Sequence, residues 1–370
     1  MHFKLSEREA ELRKAALESG ILCGQLSFAE KWNVAAAHGL VGCLIPAEYG
    51  GAGLNILETS LSFEGFSEGC TDGGFTFSMA AHLLAGVFPL RQYGSEKIKK
   101  NIFKQIIDGK FILANAMTES GSGSNAFAMK TTAILSGENY ILNGSKTFCT
   151  NGNIANGILV YALTDEKKGF FGGVTCFLLE KGKHDFKCGA PISKNGLHSS
   201  SLCEIFLNDV LVSKDNIIGK PGSGAMIFLE SMNMERIVMS AMHTGTMQRL
   251  CLRSRQYVKD RLQGKIHLEE HQAVQFRIAE MYLKTEICRL QVYKAAKMAD
   301  DGMDITTIAA QAKIFSSEAL NEIAKDALIL HGANGFSTDS GIGEIIADAQ
   351  AALIYSGPND VLRNLIASRI

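Results

Sequence analysis

Tyr140-Ile-Leu-Asn-Gly-Ser-Lys146, Ile158-Leu-Val-Tyr-Ala162, Val174-Thr-Cys-Phe-Leu178 and Cys203-Glu-Ile-Phe-Leu207 are the runs whose reading decides the fold. Each is short, rich in β-branched and aromatic residues, and bounded by Gly, Asn or Lys, the pattern of strands separated by turns. Asn143-Gly144 within the first run predicts a hairpin turn. With the apolar run Phe111-Ile-Leu-Ala114 they mark residues 111–221 as a β-domain, a barrel or a sandwich.

The sequence changes character on both sides. Residues 1–110 read as helices: Ser6 followed by Glu9 forms a capping-box pattern ahead of Ala10, Leu12 and Ala16. Pro46-Ala-Glu-Tyr-Gly50-Gly51-Ala-Gly53 interrupts that region, and helical patterns resume near Ile56. Gly219-Lys-Pro-Gly-Ser-Gly224 reads as a linker into residues 222–370, where long helices are expected. There Val274, Ile278, Met281, Thr285, Cys288 and Val292 recur at three- and four-residue spacing, which marks a bundle core. The order is therefore α+β: an N-terminal helical domain, a central β-domain and a C-terminal four-helix bundle. It is not the strand–helix alternation of a dinucleotide-binding sheet.

Composition narrows the function classes. The chain has 370 residues, enough for two or three domains, and 46% are hydrophobic, which excludes disorder as the main state. Lys and Arg total 37 against 38 Asp and Glu. A net charge of −1 argues against a dominant electrostatic nucleic-acid partner. The 9 cysteines are odd in number, widely spaced and without Cys-x-x-Cys, so free thiols in a reducing compartment are expected. Met1-His2-Phe3-Lys4-Leu5-Ser6-Glu7 is charged and lacks an apolar signal core. No run reaches the roughly 18 apolar residues of a membrane span. A cytoplasmic protein without membrane partners is expected.

Several segments could carry chemistry. Ala116-Met117-Thr118-Glu119-Ser120-Gly121-Ser122-Gly123-Ser124-Asn125 offers hydroxyls and open backbone N–H groups that suit a phosphate or a polar ring edge; a plain surface loop has the same composition. Lys146-Thr147-Phe148-Cys149-Thr150-Asn151-Gly152 could line a planar ligand or simply end a strand. His267-Leu-Glu-Glu-His271 fits His-x-x-Glu-His, and two histidines four apart on a helix could ligate metal. Solvated helix-start residues are the plainer reading, and no metal is expected. On a helix, Glu235 shares its face with Phe228, Met232, Val238, Met239 and Met242. Burial there would raise the carboxyl pKa toward that of a general base, unless an internal ion pair holds it. Glu230 lies on a comparably apolar side, and pattern alone does not choose between the two. His331-Gly332-Ala-Asn-Gly335-Phe336 caps a helix or approaches a ligand, and Tyr355-Ser356-Gly357-Pro358-Asn359-Asp360 turns into the last helix.

Taken together the chain resembles the acyl-CoA dehydrogenase family. The resemblance spans nearly all of it and rests on Ile45-Pro-Ala-Glu-Tyr-Gly50-Gly51, on the Thr118-Glu119-x-Gly121-x-Gly123-Ser124 loop, on Lys146 to Gly152, and on Arg261, Gln272, Gly332 and Gly335. It implies an FAD-dependent enzyme that removes a proton from Cα and a hydride from Cβ of an acyl thioester. The thioester would be carried on coenzyme A or a carrier protein. An electron acceptor such as an electron-transfer flavoprotein and a homodimer or homotetramer are implied as well. Met117, Thr118, Ser124, Phe148 and Thr150 are the implied neighbours of the isoalloxazine and phosphates. Arg261, Gln272, Gly332 and Gly335 would meet the FAD of a neighbouring subunit.

The departures from the family pattern are informative. Most members carry the catalytic Glu directly after the Tyr of the late turn, where this chain has Ser356. A minority branch, which includes isovaleryl-CoA dehydrogenase and carrier-tethered prolyl dehydrogenases, places it in the first bundle helix, and Met234-Glu235-Arg236 matches that branch. The resemblance thus implies Glu235 as base, with the Ser356 backbone N–H bonding the thioester carbonyl. Gly69-Cys-Thr-Asp-Gly-Gly74 through His82 resembles versions from secondary-metabolite clusters and leans toward a carrier-bound acyl or aminoacyl chain. Asn125, Pro358, Asp360, Ile329 and Ala347 replace customary residues. Pro358, Ile329 and Ala347 keep open a degenerate, non-catalytic homologue, and relatives of the family that monooxygenate, or that eliminate or cyclise without net oxidation, keep open a different reaction on the same fold.

Overall fold

The computed structural model describes residues 4–370; residues 1–3 of the charged N-terminus lie outside the described residues. Helix α1 (Glu7–Cys23) begins at the expected capping box: the Ser6 hydroxyl accepts from the Glu9 N–H, and the Glu9 carboxylate accepts from the Ser6 N–H. The same reciprocal bonds start α2 (Phe28–Ala37) at Ser27 and Glu30, and α3 (Ile56–Gly69) at Asn55 and Glu58. Helix α4 (Gly73–His82) runs through a π-turn at Leu83–Val87 into α5 (Phe88–Tyr93), and α6 (Glu96–Ile107) follows. The continuous Gly73–Tyr93 helix is long and apolar enough to cross a membrane by length and composition, although no such span was expected from the sequence. Most of it is buried inside the protein, so its apolarity is that of a core helix.

The middle of the chain forms one eight-stranded mixed sheet. Its strands are β1 (Leu113–Ala116), β2 (Thr132–Ser136), β3 (Asn139–Thr150), β4 (Gly157–Leu163), β5 (Val174–Glu180), β6 (Phe186–Cys188), β7 (Leu202–Ser213) and β8 (Ile217–Ile218). The order is β6-β7-β3-β2-β4-β5-β8, with β1 parallel to β4; a short turn, α7 (Phe170–Gly173), precedes β5. The expected hairpin turn at Asn143-Gly144 does not form. Those residues lie inside β3, at a register shift against β7, with Gly144 at φ 145°. The β2–β3 turn falls at Gly137-Glu138 instead. Asn-Gly signals a left-handed or bulged backbone, and here a bulge rather than a turn uses it. Strands β4 and β5 are buried on both faces. Ile158, Val160, Phe177 and Leu179 enter the core enclosed by the sheet, while Leu159, Tyr161, Cys176 and Leu178 pack against the helices. This double burial explains their unbroken apolar runs.

The C-terminal part comprises α8 (Gly224–Asp260), a small hairpin of β9 (Leu262–Gln263) and β10 (Ile266–His267), α9 (Gln272–Asp300), α10 (Thr306–His331), the turn α11 (Ala333–Phe336), α12 (Ile342–Ala352) and α13 (Asn359–Ala367). The α9 stripe is core as read: Met281, Thr285, Cys288 and Val292 are fully buried. His267 and His271 flank a 3-10 turn rather than sharing a helical face. Helix α8 packs on α3, α9 and α10. Contact with α3 is backbone-close at Gly245, where a Cβ would stand 2.1 Å from the Glu64 carbonyl oxygen. That approach delivers Glu64 into a buried cluster with Arg13, Arg289 and Tyr293. Gly245→Ala must push α3 and α8 apart. We expect a loss of ~1–3 kcal/mol in chemical denaturation, the range for overpacked interiors; a variant as stable as wild type would show that the helices separate freely.

Candidate active site

Helix α8 presents Glu235 to the interior, where its side chain is 7% exposed. Across from it is the turn between α12 and α13, whose Ser356 hydroxyl donates to Glu235 Oε1 at 2.5 Å and lies 3.3 Å from the Met239 sulfur. Burial pushes the Glu235 carboxyl up to about 7; the Ser356 hydrogen bond and the neighbouring Arg236 charge oppose that rise. No ion pair to Glu235 forms among the described residues. Glu230, its rival in the sequence, is only half-buried and takes a hydrogen bond from the Tyr93 hydroxyl.

The turn itself is held by two buried basic side chains. Arg236 Nε donates to the Ser356 carbonyl at 3.0 Å, and Lys313 Nζ from α10 donates to the Gly357 carbonyl at 2.9 Å and to Asn359 Oδ1 at 2.7 Å. Burial lowers Arg236 to about 10 and, aided by the Arg236 charge, Lys313 to about 7. These bonds hold Ser356 at φ 54°, a left-handed conformation that is uncommon outside glycine. Beside it the Tyr355 hydroxyl meets His243 Nε2 at 2.5 Å, and His243 Nδ1 meets the Ser316 hydroxyl at 3.0 Å. Burial, reinforced by Lys313, takes His243 down to about 3, so the imidazole is neutral. Arg236, Lys313 and His243 were missed in the sequence as parts of the site. Only the Met234-Glu235-Arg236 match touches one of them, and no pattern joins residues from α8, α10 and the late turn.

The β-domain supplies a second wall. Glu119 and Lys146 form a buried pair at 2.8 Å, and Glu119 also accepts from the Lys130 and Thr131 N–H groups. Burial would raise Glu119, but the bonds from Lys146 and Thr131 outweigh it and keep it below the usual carboxylate range. Lys146 also donates to the Met117 carbonyl, and the Thr147 N–H to the Thr118 carbonyl, so the 117–119 segment is fixed against the end of β3. Phe148 emerges there at φ 54° and 61% exposed. A bulky aromatic held in that conformation with its face to solvent is a strained, outward platform. Among the described residues, the hydroxyls of Thr118, Ser124 and Thr150 make no hydrogen bond within the chain. A Cβ on Gly121 or Gly123 would meet open space. Free hydroxyls, an open glycine loop and a presented aromatic are the kind of groups that a flat ring with phosphates would need, and Met117 and Thr118 are fixed beside the strand end that carries Phe148 and Thr150.

Helix α4 ties the two walls. The Phe77 ring lies 4.7 Å from that of Tyr355, and the next residue, Ser78, accepts from Asn151 Nδ2 at 2.9 Å. One turn of helix therefore neighbours both the Glu235 side and the Phe148–Thr150 side. The remaining expected residues are elsewhere. Arg261 and Gln272 are exposed at the α8–α9 corner, and Tyr257 joins that corner to the Gly332–Gly335 segment by stacking on His331 at 4.3 Å and bonding Asn334 at 3.1 Å. Residues 235 and 261 are about 39 Å apart along α8.

Three comparisons bear on this geometry. The family models "Acyl-CoA dehydrogenase" N-terminal domain, middle domain and C-terminal domain match residues 9–110, 114–210 and 222–370. A curated L-prolyl-[peptidyl-carrier protein] dehydrogenase from a Serratia species is 35% identical over 341 residues, 92% of this chain and 88% of the relative. A short-chain specific acyl-CoA dehydrogenase from Clostridium acetobutylicum is 32% identical, covering 90% of this chain and 87% of its own. A solved structure described as the FAD complex of PigA superimposes with a TM-score of 0.95 at 33% identity, over 100% of this chain and 99% of that one.

A raised carboxyl carries a stability signature. Folded Glu235 holds its proton more tightly than unfolded Glu235, so the stability it contributes is lost as pH rises from about 4.5 through about 7. Relative to Glu235→Gln, wild type should lose about 3 kcal/mol across that window and then level off. Parallel denaturation curves of the two proteins at several pH values check this; a constant difference would mean that the carboxyl titrates normally.

Proposed function

The chain belongs to the acyl-CoA dehydrogenase family, and from that premise we propose that it oxidises an acyl thioester at Cα–Cβ with FAD, using Glu235 as the base. The observation that carries this is the Glu235 carboxylate, buried and in no ion pair among the described residues, raised to about 7 and facing the turn where other members keep their acid. A base with a pKa near the working pH is substantially ionised and still basic enough to accept a carbon-bound proton.

Bound FAD supplies the acceptor for the hydride that leaves the β-carbon. The chain's own groups do the rest. Glu235 takes the α-proton, and the Ser356 N–H, on a turn fixed by the Arg236 and Lys313 bonds to the Ser356 and Gly357 carbonyls, donates to the thioester carbonyl where negative charge grows as that proton leaves. With the hydride gone to the acceptor, the acyl chain would be left as a 2-enoyl thioester, and the proton held on Glu235 would return to solvent before the next turnover. Thr118, Phe148 and Thr150 would hold the ring of the bound cofactor.

The finer assignments are proposals. The handle is a phosphopantetheinyl carrier protein bearing an acyl or aminoacyl chain; the carrier-linked Serratia relative and the Gly69–Gly74 segment support that choice over coenzyme A. The electrons pass to an electron-transfer flavoprotein or a similar acceptor. The protein is a homodimer or homotetramer: Arg261, Gln272, Gly332 and Gly335 are too far from Glu235 to hold the ring beside it and suit a neighbour's FAD. Phe276, Leu283, Ile287 and Leu290 leave an apolar stripe of α9 exposed for such a contact. A cytoplasmic location accords with nine free cysteines, eight of them buried.

Anaerobic mixing of the flavin-loaded protein with matched acyl-carrier and acyl-CoA substrates tests the reading. We expect the flavin absorbance to bleach, at lower concentration with the carrier. Glu235→Gln should bleach ~10²–10⁴-fold more slowly. Bleaching of this variant at the wild-type rate would remove Glu235 as base, and substrate turnover without bleaching would replace the oxidation with a non-redox reaction.

A further inference from the structure

Ser356 stands where most relatives carry the acid, and its side chain is not idle. The hydroxyl is buried, points at Oε1 of Glu235 and has the Met239 sulfur as its only other neighbour at bonding distance. Oε2 of Glu235 accepts no hydrogen bond among the described residues. The Ser356 N–H likewise has no acceptor in the chain among those residues. One residue thus holds one oxygen of the carboxylate with its side chain and offers its amide to whatever lies beside the other.

We propose that Ser356 is a positioning residue for proton abstraction: its hydroxyl fixes Oε1 so that Oε2 faces the α-hydrogen, while its amide holds the thioester carbonyl one bond away. The proposal rests on Glu235 being the base. Its geometric content is that base and carbonyl are set from a single residue, so their spacing cannot drift independently. The α-carbon is bonded directly to that carbonyl, and misplacement of the reacting atoms by an ångström is costly. Ser356 has a left-handed φ of 54°, and the Arg236 and Lys313 bonds to the Ser356 and Gly357 carbonyls hold the turn that carries it.

A hydroxyl donating to a carboxylate also favours its charged form, so losing it should move the titration of Glu235 upward. The charged and titratable groups around that carboxyl are Arg236 on its own helix, Tyr355 from the turn, Tyr161 from β4, and Lys313 from α10 acting through Arg236. All four are common to the variants compared, so their own titrations cancel.

The test uses the flavin-loaded full chain and two variants. Ser356→Ala keeps the backbone demand and removes the hydroxyl; Ser356→Gly removes the hydroxyl and relieves the left-handed conformation, which guards against a folding defect. Both retain the amide. In single-turnover bleaching against pH, each should shift the rising limb upward by about one to two units, the equivalent of a hydrogen bond to a charged group. At neutral pH the rate should fall about 5- to 50-fold and recover in alkali only in part, because the lost positioning persists, with the substrate concentration for half-maximal rate little changed. A readout without substrate or flavin is the pH at which stability relative to a matched Glu235→Gln background levels off, and it should rise by the same amount. An unmoved limb and an unmoved plateau in both variants would overturn the proposal. If Glu235→Gln bleaches normally, the base assignment itself fails; if that variant is inactive while the limbs stay in place, only the role of Ser356 is lost.

Discussion

A carboxylate sunk in an apolar helix wall, met by one hydroxyl and in no ion pair among the described residues, is the constraint around which this protein is arranged. Glu235 gains nothing in stability from its position, because burial disfavours its charge and the Ser356 bond only partly compensates. The cost is tolerable because the surroundings are over-determined. Arg236 and Lys313 grip two successive carbonyls of the opposing turn, and Asn359 links Lys313 to Ser317 and Glu318. A strained backbone and a raised carboxyl at one place are what a pre-organised site contains and an ordinary core does not.

The larger architecture ties the turn that faces this carboxylate to the end of β3. Helix α4 lies between bundle and sheet, touching Tyr355 through Phe77 and the end of β3 through Ser78. Farther along, buried His82 receives the Leu113 N–H at Nδ1, which joins the same helical segment to β1; burial lowers His82 to about 4, so it serves as a neutral bridge. The buried Glu119–Lys146 pair does for the Ser/Gly loop what Arg236 and Lys313 do for the late turn: it fixes a mobile kind of segment by charge where water cannot compete. Both segments are therefore irregular backbone stapled by buried basic side chains.

Much of this was legible in the sequence, for reasons that differ by residue. The helix–sheet–helix order follows from hydrophobic periodicity, and the Ser6 capping box and the α9 core stripe are local signals that the fold obeys. Asn143-Gly144 misled because the same backbone preference serves a bulge as well as a turn, and only the pairing of β3 with β7 decides between them. Glu235 and Glu230 looked alike on a helical wheel; they part because Ser356 and Tyr93 arrive from 121 and 137 residues away. Lys313 gave no signal, since a lone lysine in an apolar helix acquires meaning only when the Gly357 carbonyl is brought to it. Ser356 was read through its backbone, as the site of a missing acid, and the work of its hydroxyl required the three-dimensional neighbour.

The most direct measurement of the central claim isolates proton removal from oxidation. A tert-butylacetyl thioester has α-hydrogens and no β-hydrogen, so it can lose a proton to the base but cannot surrender a hydride. Incubated in deuterium oxide with the flavin-loaded protein, it should take up deuterium at the α-carbon with wild type, and at no more than the uncatalysed rate with Glu235→Gln. Equal uptake with both proteins would contradict the assignment of Glu235 as the group that removes the α-proton.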